Sequence, residues 1–228
     1  MGQALPAEGY GGAVAEIVLM SDPRVAAIPV LENSEALVDL RLPRGLRLDS
    51  RKADPDGSYA HLRAGVVQRL ERAQAALPGD LGLLIIEGFR PPTLQRHYFD
   101  EYQDELRALH PSLSTTELAS LASRYVSPPE IAPHSSGAAV DLTLCDGDGK
   151  ELDLGTRVNA SPEESEGRCY TDADGLSPEA QANRDILTSA LTAAGLVNYP
   201  TEWWHWSYGD RYWALAAGKP HALYGPVP

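Results

Sequence analysis

The stretch PHSSGAAVDLTL, residues 133–144, constrains this chain more than any other. Val140, Leu142 and Leu144 alternate with Ala139, Asp141 and Thr143, the period-two pattern of a half-buried strand, which places Asp141 on the face turned away from the core. His134 stands ahead of that strand in a loop. If the stretch were extended throughout, His134 and Asp141 would lie roughly 23 Å apart at about 3.3 Å per residue and could share no ligand. Ser135-Ser136-Gly137 is turn chemistry, so the chain is expected to double back there and bring the imidazole towards the carboxylate. Two donors placed side by side in this way make two thirds of a metal site.

A third donor stands in TEWWHWSYGD, residues 201–210, where Glu202 and His205 are three apart among Trp203, Trp204 and Trp206. A catalytic zinc takes three nitrogen or oxygen ligands from the protein and keeps one position for water. His134, Asp141 and His205 supply three such donors. Glu202 is left over, with the chemistry of a general base that takes a proton from water and passes it to a leaving amine. The tryptophans are expected to wall the site with apolar surface and lower its dielectric. In EGFRPP, residues 87–92, Arg90 follows a hydrophobic run and precedes two prolines that stiffen the chain, a placement suited to stabilising an oxyanion at an amide carbonyl. Each of these residues also has a plainer reading. His134 can be a hydrogen-bonded loop histidine, Glu202 a solvated cap, the tryptophans core packing, and Arg90 a surface cation paired with Glu87 or another acid. The metal reading rests on the conjunction of His-x6-Asp, enclosing a glycine turn, with Glu-x-x-His.

The rest of the chain supplies a scaffold. Ser58 is read as the cap of a helix with Leu62, Val66, Leu70, Ala73 and Leu77 on one face, ended by Pro78-Gly79. LGLLIIE, residues 81–87, reads as a buried strand. Thr93 is read as the cap of a second helix carrying Leu94, Tyr98, Tyr102, Leu106 and Leu109, stopped by Pro111. Ser114 and Glu117 form a capping box for a third, and Ser177-Pro178 starts a fourth that ends at Gly195. Strands and helices mix without a regular βαβ rhythm, which predicts the α+β class. The acidic stretch 145–176 is the longest irregular segment, expected to be a functional edge or lid. With 43% hydrophobic and 22% charged residues, 228 residues suffice for one core. We therefore expect one domain over 1–228, with 1–57 as an N-terminal extension of it. A net charge of -13 opposes phosphate backbones and anionic lipid, so neither nucleic acid nor membrane is an expected partner. The only candidate leader, GGAVAEIVLM at 11–20, has no basic residue ahead of it and contains Glu16, which predicts a cytoplasmic protein. Cys145 and Cys169 are then expected to be two reduced thiols.

EGFRPP, HSSGAAVDLTL, NRDILTSALTAAGLVNYPTEWWHWSYGDRYWA and ALYGPV together resemble the D-alanyl-D-alanine dipeptidases of the vancomycin-resistance type, zinc peptidases related to the D,D-carboxypeptidases. The resemblance runs from about residue 59 to the C-terminus. It implies an α+β fold with a central antiparallel sheet flanked by helices, and zinc held by His134, Asp141 and His205. It also implies Glu202 as catalytic base, Arg90 as transition-state stabiliser and a small dipeptide as substrate. The chain departs from the family pattern in three places. Ala132 stands where members usually carry a serine, two positions before the first metal histidine. LGTRVN, residues 154–159, puts Asn159 where the family has the acid that pairs with the substrate ammonium, and a neutral amide supplies no ion pair. The N-terminal third lacks the family's tyrosine and asparagine-phenylalanine pattern. The expected activity is zinc-dependent hydrolysis of D-Ala-D-Ala or a similar dipeptide. The alternatives are a zinc carboxypeptidase or amidohydrolase acting on a modified or N-blocked substrate, and a non-catalytic binding protein.

Overall fold

The most hydrophobic runs of the chain become its central strands. In the computed structural model, which describes residues 17–42 and 45–227, the order of elements is α1 (Pro23–Ala27), β1 (Leu37–Asp39), β2 (Arg47–Leu48), β3 (His61–Arg63), α2 (Ala64–Ala76), β4 (Gly82–Glu87), α3 (Pro92–Leu109), α4 (Thr115–Ala122), β5 (Ala139–Cys145), α5 (Pro178–Ala193), β6 (Val197–Tyr199), β7 (Glu202–Ser207) and α6 (Arg211–Ala216). Residues 11–16 of the candidate leader lie outside the described residues. The main sheet has the order β2-β4-β5-β7-β6, antiparallel except for the β2–β4 edge pair, and β1 pairs antiparallel with β3 in a second, two-stranded sheet. This is the expected α+β class with a central, mostly antiparallel sheet. Among the described residues no helix is long and apolar enough to cross a membrane.

Register shows which face of the sheet is the core. Leu83 pairs with Leu144, Ile85 with Leu142 and Val140 with Trp206, and residues directly opposite each other on antiparallel strands share a face. These six residues join Val66, Leu70 and Ala73 of α2 and Leu187 and Leu191 of α5 in one apolar cluster. Phe99 and Leu106 of α3 pack with Leu118 and Ala122 of α4 in another. The alternation along β5 was expected to leave one face in solvent, yet all seven of its residues are buried. The face carrying Asp141 is covered by the cavity-forming elements described below.

Helix ends follow local chemistry where it is strong and long-range pairing where it is not. Ser114 and Glu117 form the expected capping box, and Ser177 accepts from the Ala180 N–H at the start of α5. Ser58 does not cap α2. The Asp54 carboxylate accepts from the N–H groups of Asp56, Ser58 and Tyr59, folding that stretch into a turn. His61–Arg63, including Leu62, then pairs with Leu37–Asp39 as a strand, so α2 begins only at Ala64. Its cap comes from afar, as the Gly65 N–H donates to the Glu35 carboxylate at 2.7 Å. Nor does Thr93 cap α3: the helix starts at Pro92, whose missing N–H costs nothing in the first turn. The buried face of α3 is Gln95, Phe99, Tyr102 and Leu106, rotated from the expected one, and Leu109 is 62% exposed. Both cysteines are free and buried.

Candidate active site

His134 sits in a single 3₁₀ turn, Pro133–Ser136, which closes on Gly137 in the left-handed conformation at φ 68°. A Cβ on Gly137 would also meet Leu37 Cδ2 at 2.4 Å, so glycine is the residue that makes this turn without strain. The reversal brings His134 Nε2 to 3.3 Å from Asp141 Oδ1, as the turn chemistry led us to expect. The EGFRPP loop and this turn hold each other: Arg90 N–H donates to His134 O, Ser135 Oγ donates to Arg90 O, and His134 Nδ1 lies 2.7 Å from Gly88 O. A carbonyl oxygen only accepts, so Nδ1 carries a proton, and Nε2 is the ring nitrogen left facing Asp141 as a possible ligand atom.

The other donors come from the sheet. Asp141 pairs across the strands with His205 on one side and with Glu87 on the other, so the three side chains form one row on the face opposite the apolar cluster. His205 Nδ1 lies 3.2 Å from Asp141 Oδ1 and 3.2 Å from His134 Nε2. His134, Asp141 and His205 are all buried, and their donor atoms fall within 4.8 Å of one another. Burial works against ionisation of Asp141, but the two imidazoles hold its carboxyl well below the usual range. Burial lowers the pKa of His205, against the opposing pull of Asp141, and so favours the neutral form in which imidazole is a ligand. Among the described residues His205 Nε2 has no hydrogen-bond partner. One carboxylate oxygen and two imidazole nitrogens lie close enough together that they could hold a metal ion, and they are donor types that a three-ligand zinc site uses.

Glu202 lies beside this group, its Oε2 3.6 Å from His205 Nδ1. Burial and the negative charge of Asp141 push the Glu202 carboxyl well above its ordinary value, with Arg90 pulling the other way. Arg90 is not a surface cation. It is 9% exposed, with Nε and Nη2 each 2.7 Å from a Glu87 oxygen and Nη1 2.9 Å from Gln95 Oε1. Those three bonds leave one N–H on each Nη, and Arg90 lines a cavity of about 360 Å³ together with His134, Asp141, Glu202 and His205.

Asn159 lines the same cavity. Its φ is 60°, a conformation asparagine tolerates, and its carbonyl accepts from Tyr125 OH and Arg157 Nη1. Tyr98 and Tyr125 supply aromatic wall. The tryptophans do not line the cavity, contrary to expectation. Trp203, Trp204 and Trp206 are at most 2% exposed and belong to the apolar cluster. Sequence reading names Glu87 as a partner for Arg90 but misses Gln95, which also holds it, and Glu101 and Glu105, which line the cavity from α3. The i, i+4 spacing of the two α3 acids puts them on one helix face and is readable in the sequence.

The chain is similar to known proteins over most of its length. Residues 60–220 match the family model described as D-ala-D-ala dipeptidase. A D-alanyl-D-alanine dipeptidase of Synechocystis sp. is 28% identical over 235 residues, covering 88% of this chain and 95% of its own length. One from Enterococcus faecium is 30% identical over 148 residues, 62% of this chain and 69% of its own. Among solved structures, the vancomycin-resistance D,D-pentapeptidase VanY in complex with Zn(II) shares 15% identity and a TM-score of 0.40, over 79% of this chain and 93% of that one.

Proposed function

Because this chain belongs to the D-Ala-D-Ala dipeptidase family, we propose that it hydrolyses the peptide bond of D-Ala-D-Ala or a similar small dipeptide, with His134, Asp141 and His205 holding one zinc ion. The observation that carries this reading is the convergence of those three buried donors beside a second buried acid, Glu202. Zinc bound there supplies a Lewis acid that polarises the scissile carbonyl and acidifies water. Glu202, beside the metal donors, is placed to take a proton from the attacking water and to return it to the leaving amine. Arg90, its charge offset by Glu87, turns its two remaining N–H groups towards the carbonyl oxygen as negative charge develops there. The buried pair holds the guanidinium in place before the reaction, so little reorganisation is needed.

Asn159 supports a second reading, in which the preferred substrate is N-blocked or otherwise lacks a free ammonium. A neutral amide offers such a substrate both a donor and an acceptor. Against this stand the acids of the cavity wall. Of the nearby candidates Glu163, Glu164 and Glu166, Glu164 lines the cavity but is paired with Arg157, and Glu101 and Glu105 line it as well. Glu163 is taken by Tyr102 and Arg124, and Glu166 is 83% exposed. A binding protein with no activity would have no use for a buried carboxylate beside the metal donors. The test is release of free D-alanine from D-Ala-D-Ala and from its N-acetyl form by zinc-loaded protein, with chelator-treated protein as reference. Release that depends on zinc supports the proposal, and no release from either substrate contradicts it.

A further inference from the structure

Glu202 and His205 are three apart on a strand, and in an unbroken strand such residues project to opposite faces. Yet Glu202 Oε2 and His205 Nδ1 are 3.6 Å apart on one side of the sheet. Register explains the contradiction. Val197 pairs with Ser207 and Asn198 with Trp206, but the next residue, Tyr199, pairs with Glu202 where the running register would give His205. The offset is three residues, and an odd offset exchanges the two faces. The Glu202 and His205 carbonyls, at the two ends of this offset, both face the Asn198 side chain. Asn198 Nδ2 lies 3.0 Å from each of those two carbonyl oxygens, so a single side-chain amide closes the gap. Since both partners of that nitrogen are acceptors, the orientation of the amide is fixed, and its Oδ1 accepts from Thr171 Oγ1 at 2.5 Å. The irregular segment continues the support, with Thr171 N–H donating to Pro200 O and Trp203 N–H to Cys169 O.

We propose that Asn198 is a positioning residue for the reaction. Its amide holds the β7 bulge that turns the general base and the third metal ligand to the same side, and Thr171 holds the amide. The inference rests on the reading of Glu202 and His205 given above, and it makes Asn198 act through them without touching substrate. Outer-shell partners of this kind are typically worth about 10–100-fold in metal affinity or activity.

The test is Asn198→Asp, which keeps the shape but removes both N–H donors, alongside Thr171→Val, which removes only the hydroxyl. Zinc affinity by chelator competition is read together with kcat and KM on D-Ala-D-Ala. We expect Asn198→Asp to lower zinc affinity and kcat by about 10-fold or more each, with KM within about threefold, because the α3 wall and Asn159 are untouched. Thr171→Val should shift the same two quantities in the same direction by less. Should Asn198→Asp fail to fold, Thr171→Val alone decides. Native zinc affinity and kcat in a folded variant would overturn the proposal, and so would a change confined to KM or to thermal stability. Zinc affinity is read independently of turnover, so a protein inert towards D-Ala-D-Ala would refute the functional reading while the binding data still judge Asn198.

Discussion

Glu87 and Arg90 form a bidentate pair nearly closed to water. Burial pushes the Glu87 carboxyl up, but the guanidinium outweighs it, and the net pKa lies below the ordinary value of 4.5. A carboxylate with a depressed folded-state pKa contributes stability above its unfolded pKa and loses it as pH falls through the folded one. Wild-type protein should therefore lose stability below about pH 4.5, and Glu87→Gln should weaken that acid dependence, as urea midpoints measured against pH would show. At neutral pH the same change leaves Arg90 buried without its counter-charge, for an expected loss of about 3–5 kcal/mol. A neutral-pH midpoint equal to wild type would contradict this. Asn159 carries the specificity prediction. Asn159→Asp keeps the left-handed backbone, which aspartate also tolerates, and restores a charge for a free ammonium. It should raise kcat/KM on free D-Ala-D-Ala by about tenfold, from a charge-assisted hydrogen bond of about 1.5–3 kcal/mol, and lower it on the N-acylated analogue. Indifference of both substrates would remove Asn159 from substrate choice.

Among the elements, the turn before β5 joins sequence to site most directly. The combination of Ser-Ser-Gly with an alternating run was enough to foresee that His134 folds back on Asp141, because turn residues and strand periodicity are both local signals. The buried strand β4, the Ser114 capping box and the Ser177 start of α5 were legible for the same reason. Long-range pairing was not. β3 took Leu62 out of its helical pattern because residues 37–39 lay beside it, and the β7 offset depends on a partner strand and on Thr171, neither of which a local pattern reports. The tryptophans were misplaced for a related reason, since sequence proximity to His205 says nothing about which face a bulged strand presents. Gly137→Ala tests the turn itself. Forcing a Cβ into the left-handed region costs about 1–2 kcal/mol, and the contact with Leu37 adds to it. We expect a lower melting temperature and weaker zinc binding, measured by calorimetry and chelator competition. Unchanged zinc affinity would show that the turn does not govern the position of His134.

At the scale of the whole molecule, the fold presents one row of side chains, Glu87, Asp141 and His205, across three strands and roofs it with α3 and the 146–177 segment. That segment forms a cavity wall, in keeping with its length. It is anchored by Arg184, whose guanidinium is almost fully buried and donates to the carbonyls of Leu154, Arg168, Tyr170 and Thr171. Zinc that binds only the folded chain must stabilise it, by about 4 kcal/mol at a thousandfold excess over Kd. Chelation should lower the melting temperature of wild type but not of a His134→Ala, His205→Ala double variant. An equal drop in both would place the stabilising metal elsewhere. The central claim separates the metal donors from the base, and zinc content measured together with the rate of D-Ala-D-Ala hydrolysis in Glu202→Ala tests it most directly. Glu202→Ala should keep about one zinc per chain, as in wild type, with the rate reduced by about 10²–10⁴-fold. Loss of the zinc along with the rate would make Glu202 a ligand, and a retained rate would remove it from the chemistry.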